Sequence, residues 1–545
     1  MFFISLLILN MIFVRPAFNQ DAGYLIGFFA SSFLLFSFSS EKFIKQSVIN
    51  LCVLFLLLSV WGLVQYLTGY GYLVNAGHRA NALFFTPNTF SASINIIILP
   101  LITLYAFGRG YRHLLTVVLV LFAALLVTQS RGGWVAFISS MVVFSILIKI
   151  LKINLDRMKI KRLIIGLGLV FIVYSIINLS EYNRMKNDLS VNDNIEHLIR
   201  SGSIVSTMSH RFKLYDIAWQ QIKQAPFHGS GFHTYQYYQV RDQQPPFIGS
   251  VTRFAHNDYL QLWMETGIFG VALFVSIPLI LISLLILIWK KISIPDKVVL
   301  LALLIGLVSF YVHALVDFLF YTPFLLMMYG CYLGYLNQLF NKYSQDSFFY
   351  TLELTHVMIR PVVIKCLIGL VGVSYLSQPA IAQLAFDQAN RDKKRLDIKS
   401  ALTYYEVARR FAPYESPYYL HEADIWYHAA KATGEAEPAQ RADKLYEQGV
   451  TANPYEVTNL FWRAMLHRAM PELLPHAVSQ ETVLSWFQYV LQWLPNDQQA
   501  QAEYVRTLLL MGEYEQARQL LGDYLVKNPG SYYLIKVRTE LGDSF

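Results

Sequence analysis

The stretch FAHNDYLQLWMETGIFG, residues 254–270, sets His256, Asn257, Asp258 and Glu265 directly before an apolar run of membrane grade. Imidazole is the side chain that trades a proton near neutral pH without a large change in its surroundings, so His256 is a candidate general base. Asn257 or Asp258 can instead begin the following helix as its cap. Glu265 stands two helical turns beyond Asp258 on roughly the same face, placed either to orient a site or to close a polar network.

Two arginines carry a second kind of chemistry. Arg131, in TQSRGG, sits between two apolar runs with hardly any loop, where a cation without a partner is costly. The two glycines after it predict a sharp turn and close approach of a ligand. A phosphate held in a bidentate fork is the natural partner of such a guanidinium, and helix-end carbonyls are the structural alternative. Arg211 lies in SHRFKLYDIAWQQIKQAPFHGSGF, whose Phe212, Tyr215, Ala218 and Trp219 predict an amphipathic interfacial helix over 209–224. Arg211 alone reads equally as an ordinary snorkelling residue. Pro226 and Gly229–Gly231 end that helix and open a tyrosine-rich coil.

His313 and Asp317 follow one helical turn apart, with Tyr321 and Pro323 beyond, and read as support for such a site. No HExxH, no CxxC and no carboxylate cluster occurs, so neither metal nor cofactor is called for. The lack of a glycine-rich nucleotide loop argues against a sugar-nucleotide donor.

The elements that must position these residues are membrane helices. The 545-residue chain is 55% hydrophobic and only 15% charged, and its apolar residues cluster in runs that reach the roughly 20 residues a bilayer core demands. The apolar start MFFISLLILNMIFVRP has no basic region and no small-residue cleavage site, so it reads as a first span rather than a signal peptide. Apolar runs predict about eleven helices, near 1–14, 22–39, 46–68, 91–107, 114–129, 133–149, 163–179, 268–289, 297–315, 319–340 and 360–378. Cys52, Cys331 and Cys366 all fall inside such runs and imply no disulfide. The net charge of +8 comes from short loops, which points to membrane orientation rather than to nucleic acid.

Basic segments 41–45, 108–113, 152–162, 290–297 and 341–360 fall on one face, which the positive-inside rule makes cytoplasmic. The opposite, periplasmic or extracellular face receives 77–88, the turn 128–133, the long loop 180–256, the turn 316–323 and everything after residue 378. All the candidate residues lie on that outer side, as one site built from several loops requires. The chain therefore divides into a membrane domain, 1–378, and an outer domain, 379–545, in which charge returns and apolar residues recur at helical spacing. Pro413, Pro454, Pro495 and Pro529 punctuate it, the last interval has the tetratricopeptide period, and AEYVRTLLLMGEYEQARQLLGDYLVKNP carries that repeat's pattern. The fold class is all-α: a polytopic helix bundle with a tetratricopeptide-like helical domain that either binds a protein or peptide or only stabilises the membrane part.

RANALFFTPN, TQSRGGWVAF, the Arg211 segment, HNDYLQLWMETGIFG and HALVDFLFYTP are together similar to the O-antigen ligase and polymerase superfamily of bacterial envelopes, over most of residues 77–330. The helical tail resembles the pilin-glycosylating branch, the PglL-type O-oligosaccharyltransferases. What the resemblance implies is a GT-C-like, multi-pass enzyme of the bacterial inner membrane with its active site and tail in the periplasm. It implies metal-independent, inverting transfer of a glycan from undecaprenyl diphosphate to a serine or threonine hydroxyl of a periplasmic or pilin-like protein. On that pattern Arg131 and Arg211 grip the diphosphate and His256 takes the acceptor proton, with Arg79, Asn88 and Asp317 as supports or lipid-glycan contacts. About eleven helices and an outer C-terminus depart from the ligases' twelve-helix plan, which leaves the acceptor open.

The rivals within this chemistry are transfer to lipid A core and polymerisation of repeat units. A transporter or flippase of lipid-linked sugars would place polar residues at mid-membrane depth in broken helices, whereas here they cluster at one outer face.

Overall fold

The computed structural model describes residues 20–71, 79–107, 112–151, 155–188, 204–243, 252–343 and 361–541. Among these residues the secondary structure is helical, without strands. The membrane part comprises α1 (Gln20–Phe38), α2 (Glu41–Thr68), α3 (Pro87–Phe107), α4 (Arg112–Val127), α5 (Arg131–Ile150), α6 (Arg157–Asp188), α7 (Ile204–Gln224), α8 (Tyr235–Arg241), α9 (Asp258–Ile288), α10 (Ile294–His313), α11 (Pro323–Tyr343) and α12 (Pro361–Lys394). Every expected apolar helix after the first has a counterpart, and the first, near 1–14, lies outside the described residues. Six helices among the described residues are long and apolar enough to cross a membrane, and Leu25–Phe38 and His113–Val127 are shorter apolar helices. This is a membrane-embedded protein. Helix α3 is buried almost all round at the centre of the bundle, whereas α2, α6 and α9 expose much of their apolar surface, the distribution expected of inner and lipid-facing spans.

The two ends of the bundle are chemically distinct. At one end Lys342 pairs with Asp296 at 2.9 Å and with Glu41 at 3.8 Å, and Gln338 donates to the carbonyls of Ser37 and Ser39. These groups lie at the start of α2, the start of α10 and the end of α11, so they share a face. The opposite end gathers the loops that carry the candidate residues: Ala80 N donates to the Val127 carbonyl, Asp258 N to the Ala314 carbonyl, and Arg79 to the Thr128 carbonyl. Among the described residues, the groups at Glu41, Asp296 and Lys342 therefore lie together, apart from the loops that carry the candidate residues.

Helix α9 begins ten residues before the expected 268. Asn257 caps it, its side chain accepting from Leu260 N at 3.0 Å, which is the structural alternative for that residue. The helix is broken at Gly267, whose φ of 71° and ψ of −175° are open essentially to glycine alone. The break receives the PFHGSGF segment: Ile268 N donates to the Pro226 carbonyl, Ser230 N to Met264 O and Gly231 N to Glu265 O. A Cβ at Gly267 would run into the Phe227 carbonyl and sit 2.8 Å from His228 N. Gly267→Ala is expected to destabilise the protein by about 3 kcal/mol or more, read as a lower melting temperature in detergent; unchanged melting would contradict this account of the break.

The tail is a run of paired helices: α13 (Ile398–Phe411), α14 (Ser416–Thr433), α15 (Ala436–Ala452), α16 (Thr458–Ala469), α17 (Gln480–Trp493), α18 (Gln498–Leu510), α19 (Tyr514–Lys527) and α20 (Tyr532–Leu541). Pro413, Pro454, Pro495 and Pro529 each stand two residues past a helix end, at Phe411, Ala452, Trp493 and Lys527. Apolar residues at helical spacing stack into successive small cores, such as Val483, Phe487 and Val490 with Phe461, and Ala517 and Leu521 with Leu534. Helix α12 runs unbroken through residue 378, so the passage from apolar span to helical tail takes place within one helix.

Candidate active site

His256 projects from the segment before α9, its backbone in the left-handed region at φ 54°. Its Nδ1 donates to Asp317 Oδ1 at 3.0 Å, and its ring meets the edge of Phe318 at 5.1 Å between centroids. The Tyr215 hydroxyl, on α7, donates to the His256 carbonyl at 3.1 Å. The imidazole is thus fixed through its ring, its Nδ1 and its backbone, while about a quarter of its side chain stays open (24%) and Asp317 is almost closed (4%). Tyr215 and Phe318 went unrecognised as neighbours of His256 because each reads from sequence as an ordinary apolar-face aromatic.

Asp317 is the electrostatic centre of this arrangement. Burial alone would push its carboxyl up, but the hydrogen bond and charge of His256, together with the charges of His313 and Arg211, outweigh it and hold the carboxyl below the usual range. His313 is fully buried, its Nε2 3.9 Å from Asp317 Oδ2, too long for a hydrogen bond. The same Nε2 faces Gly132: a Cβ there would lie 3.0 Å from it and 2.8 Å from Val316. This corrects the reading of the Arg131 turn. Gly132 and Gly133 are helical, inside the first turn of α5, and serve close helix packing, Gly133 against Ser91 and Gly132 against His313. The residue that takes the left-handed turn is Gln129, at φ 50°.

That packing sets the first turn of α5, which Arg131 begins, against His313, and Arg131 lies in the field of Arg79. Arg79 donates Nε to the Thr128 carbonyl at 3.0 Å and Nη2 to Asn88 Oδ1 at 2.7 Å, so Asn88 orients it. Burial pulls the Arg79 guanidinium down, Asp317 opposes that, and the positive charges of Arg131 and Arg211 add to the depression. Arg211 lies on α7 within the field of both Asp317 and His313. Three guanidiniums and one carboxylate leave the cluster positive. Among the described residues neither Arg131 nor Arg211 makes a hydrogen bond or an ion pair. Unpaired cations grouped with a partly open imidazole's carboxylate partner can hold a polyanion, a diphosphate above all.

Asp258 and Glu265 have structural surroundings. Asp258 Oδ2 accepts from Phe320 N at 2.9 Å, which ties α9 to the turn bearing Asp317. Glu265 accepts from His233 N, Tyr235 N, Gln261 Nε2 and the Tyr321 hydroxyl, at 2.8, 3.2, 3.1 and 2.6 Å. It closes a buried polar network, one of its two sequence readings. The tyrosine-rich segment after Gly231, expected as coil, contains α8, anchored by the fully buried Tyr235. Helix α7 extends further upstream than expected. Its buried stripe is Leu214, Ala218 and Ile222, and Phe212 and Trp219 of the predicted stripe remain exposed.

A protein-family model described as O-antigen ligase matches residues 116–275, and so contains Arg131, Arg211, His256, Asn257, Asp258 and Glu265. Over residues 116–275 the chain is similar to the O-antigen ligase family. That similarity supports a glycan-transferring function in a membrane setting. Arg79, Asn88, His313 and Asp317 lie outside the O-antigen ligase match and are joined to it by the contacts above. A second model, described as tetratricopeptide repeat, matches residues 484–536, spanning α18 and α19. No curated protein matches the chain at a significant level.

Proposed function

We propose that the chain is a protein O-oligosaccharyltransferase of the PglL type. At the periplasmic face of the bacterial inner membrane it moves a glycan from undecaprenyl diphosphate to a serine or threonine hydroxyl of a periplasmic or pilin-like protein. The observation that carries this reading is the partly open His256, held by Asp317, whose carboxylate lies in the field of Arg79 and Arg211, with Arg131 in the field of Arg79.

With Nδ1 engaged by Asp317, His256 keeps Nε2 as the proton acceptor. The acceptor hydroxyl gives its proton to Nε2 as its oxygen attacks the anomeric carbon. The bond from that carbon to the diphosphate oxygen breaks, and attack from the opposite face inverts the centre. The charge that grows on the departing undecaprenyl diphosphate is neutralised by Arg131 and Arg211, with Arg79 behind them, and His256 and these cations need no metal for the step. The positive loops at the other end of the bundle support a periplasmic site.

The helical tail supports a protein acceptor, since stacked helix pairs form extended surfaces for polypeptide. The O-antigen ligase description of the matched segment favours the second reading, transfer to lipid A core or to a growing polymer, which the same catalytic groups would serve. Intact-mass spectrometry of a pilin-like periplasmic protein, co-expressed with this chain and a lipid-linked glycan pathway, separates them. A glycan-sized shift, absent with His256→Ala, is the expected result. Unmodified protein beside altered lipopolysaccharide ladders would move the assignment to the lipid acceptor.

A further inference from the structure

Among the described residues, the tail meets the membrane domain at a small element, α8. Its residues divide by helical spacing into two faces. The inner face belongs to the segment that carries Arg211 and His256. Tyr235 donates its N–H to Glu265 and its hydroxyl to Leu214 O on α7, one turn beyond Arg211. The buried Gln239 accepts from Thr252 N, four residues before His256. Gln221 of α7 reaches Asp242 at the end of α8, at 2.9 Å.

The outer face belongs to the tail. Tyr237 accepts a hydrogen bond from Asn453 Nδ2 at 2.6 Å and packs on Tyr455 at 5.7 Å between centroids. Tyr238 meets Trp493 edge-on at 5.4 Å, Trp493 meets Tyr455 at 5.0 Å, and the Arg241 guanidinium lies over both Tyr238 and Trp493, at 4.6 and 5.5 Å. Aromatic pairs and a cation over aromatic faces make a directional joint rather than a greasy one. One seven-residue helix therefore touches the tail with one side and the loop bearing two candidate site residues with the other.

We infer that Asn453, Tyr455 and Trp493 are positioning residues, which hold Arg211 and His256 in register through α8. The tail is then a working part of the site and more than an acceptor platform or a cap. The kinetic consequence rests on the transfer proposed at His256, but the joint itself does not.

The experiment uses the full chain in lipid nanodiscs, comparing Trp493→Ala, Trp493→Phe and Tyr237→Phe with the wild type. Hydrogen exchange at the amides of His233, Tyr235 and Thr252 is expected to speed up about tenfold in Trp493→Ala. The maximal transfer rate is expected to fall by about tenfold, with the acceptor KM held within about twofold. Trp493→Phe, which keeps a ring in place, restores most of both, and Tyr237→Phe, which removes only the hydroxyl, gives a smaller change of the same sign. Unchanged exchange at those amides would overturn the proposal. So would a raised acceptor KM at an unchanged maximal rate, which would make the joint part of the acceptor surface. If the wild type modifies no protein, the exchange measurement decides the joint by itself, and only the proposed acceptor falls.

Discussion

Replacing His256 by alanine is expected to lower glycan transfer by about 10²–10⁴-fold, the contribution typical of a positioned general base. The side chain contributes little packing beyond its contact with Phe318 and is partly open, so the variant keeps its fold and its insertion. Asp317→Asn is expected to act in the same direction, because the amide no longer fixes the Nδ1 proton and frees the ring to turn. The pH dependence has a definite sign. The Asp317 carboxyl is depressed in the folded protein, so the His256–Asp317 contact contributes fully above the ordinary carboxylate range, about pH 4, and fades only as the pH falls through the depressed value. Initial rates against pH, with donor saturating, measure this. Wild-type turnover in His256→Ala would remove the base from the account.

The second large effect falls on the donor. Arg131→Ala and Arg211→Ala are each expected to lower kcat/KM for the lipid-linked glycan by about 10²-fold, the scale of losing one preorganised charge at a developing anion. Neither guanidinium has a protein partner to lose among the described residues, so the fold does not depend on them. Lysine at either place keeps the charge but not the fork and is expected to recover part of the loss. Arg79 differs, because it is tied to Thr128 and Asn88. Normal donor kinetics in both single variants would contradict the assignment of these cations to the diphosphate.

Helix type and placement were legible because period and length are local properties: α2 to α6 and α9 to α11 follow apolar runs that permit little else. The shared face of the candidate residues was legible too, since charge bias fixes which loops lie together. Three features were hidden for physical reasons. Gly132 and Gly133 look like a turn, and their role as a packing surface for Ser91 and His313 depends on partners far away in the chain. The break at Gly267 lies where the apolar run begins, and only the docking of Pro226–Gly231 shows why the helix that starts at Asp258 must break there. The joint at α8 joins Tyr237, Tyr238 and Arg241 to residues more than two hundred positions away, as the Tyr237–Asn453 bond does, a distance no local pattern reports. By contrast, the His256–Asp317 contact was half visible, since both residues stood out on their own and only their pairing was missing.

The most direct test of the central claim separates donor binding from transfer in purified protein in nanodiscs. Binding of an undecaprenyl-diphosphate-linked glycan and a single turnover of it are measured for the wild type, His256→Ala and the Arg131→Ala/Arg211→Ala double variant. The account predicts that His256→Ala binds the donor as the wild type does but does not turn it over, while the double variant loses binding. Transfer by His256→Ala at the wild-type rate, or wild-type donor affinity in the double variant, would contradict it.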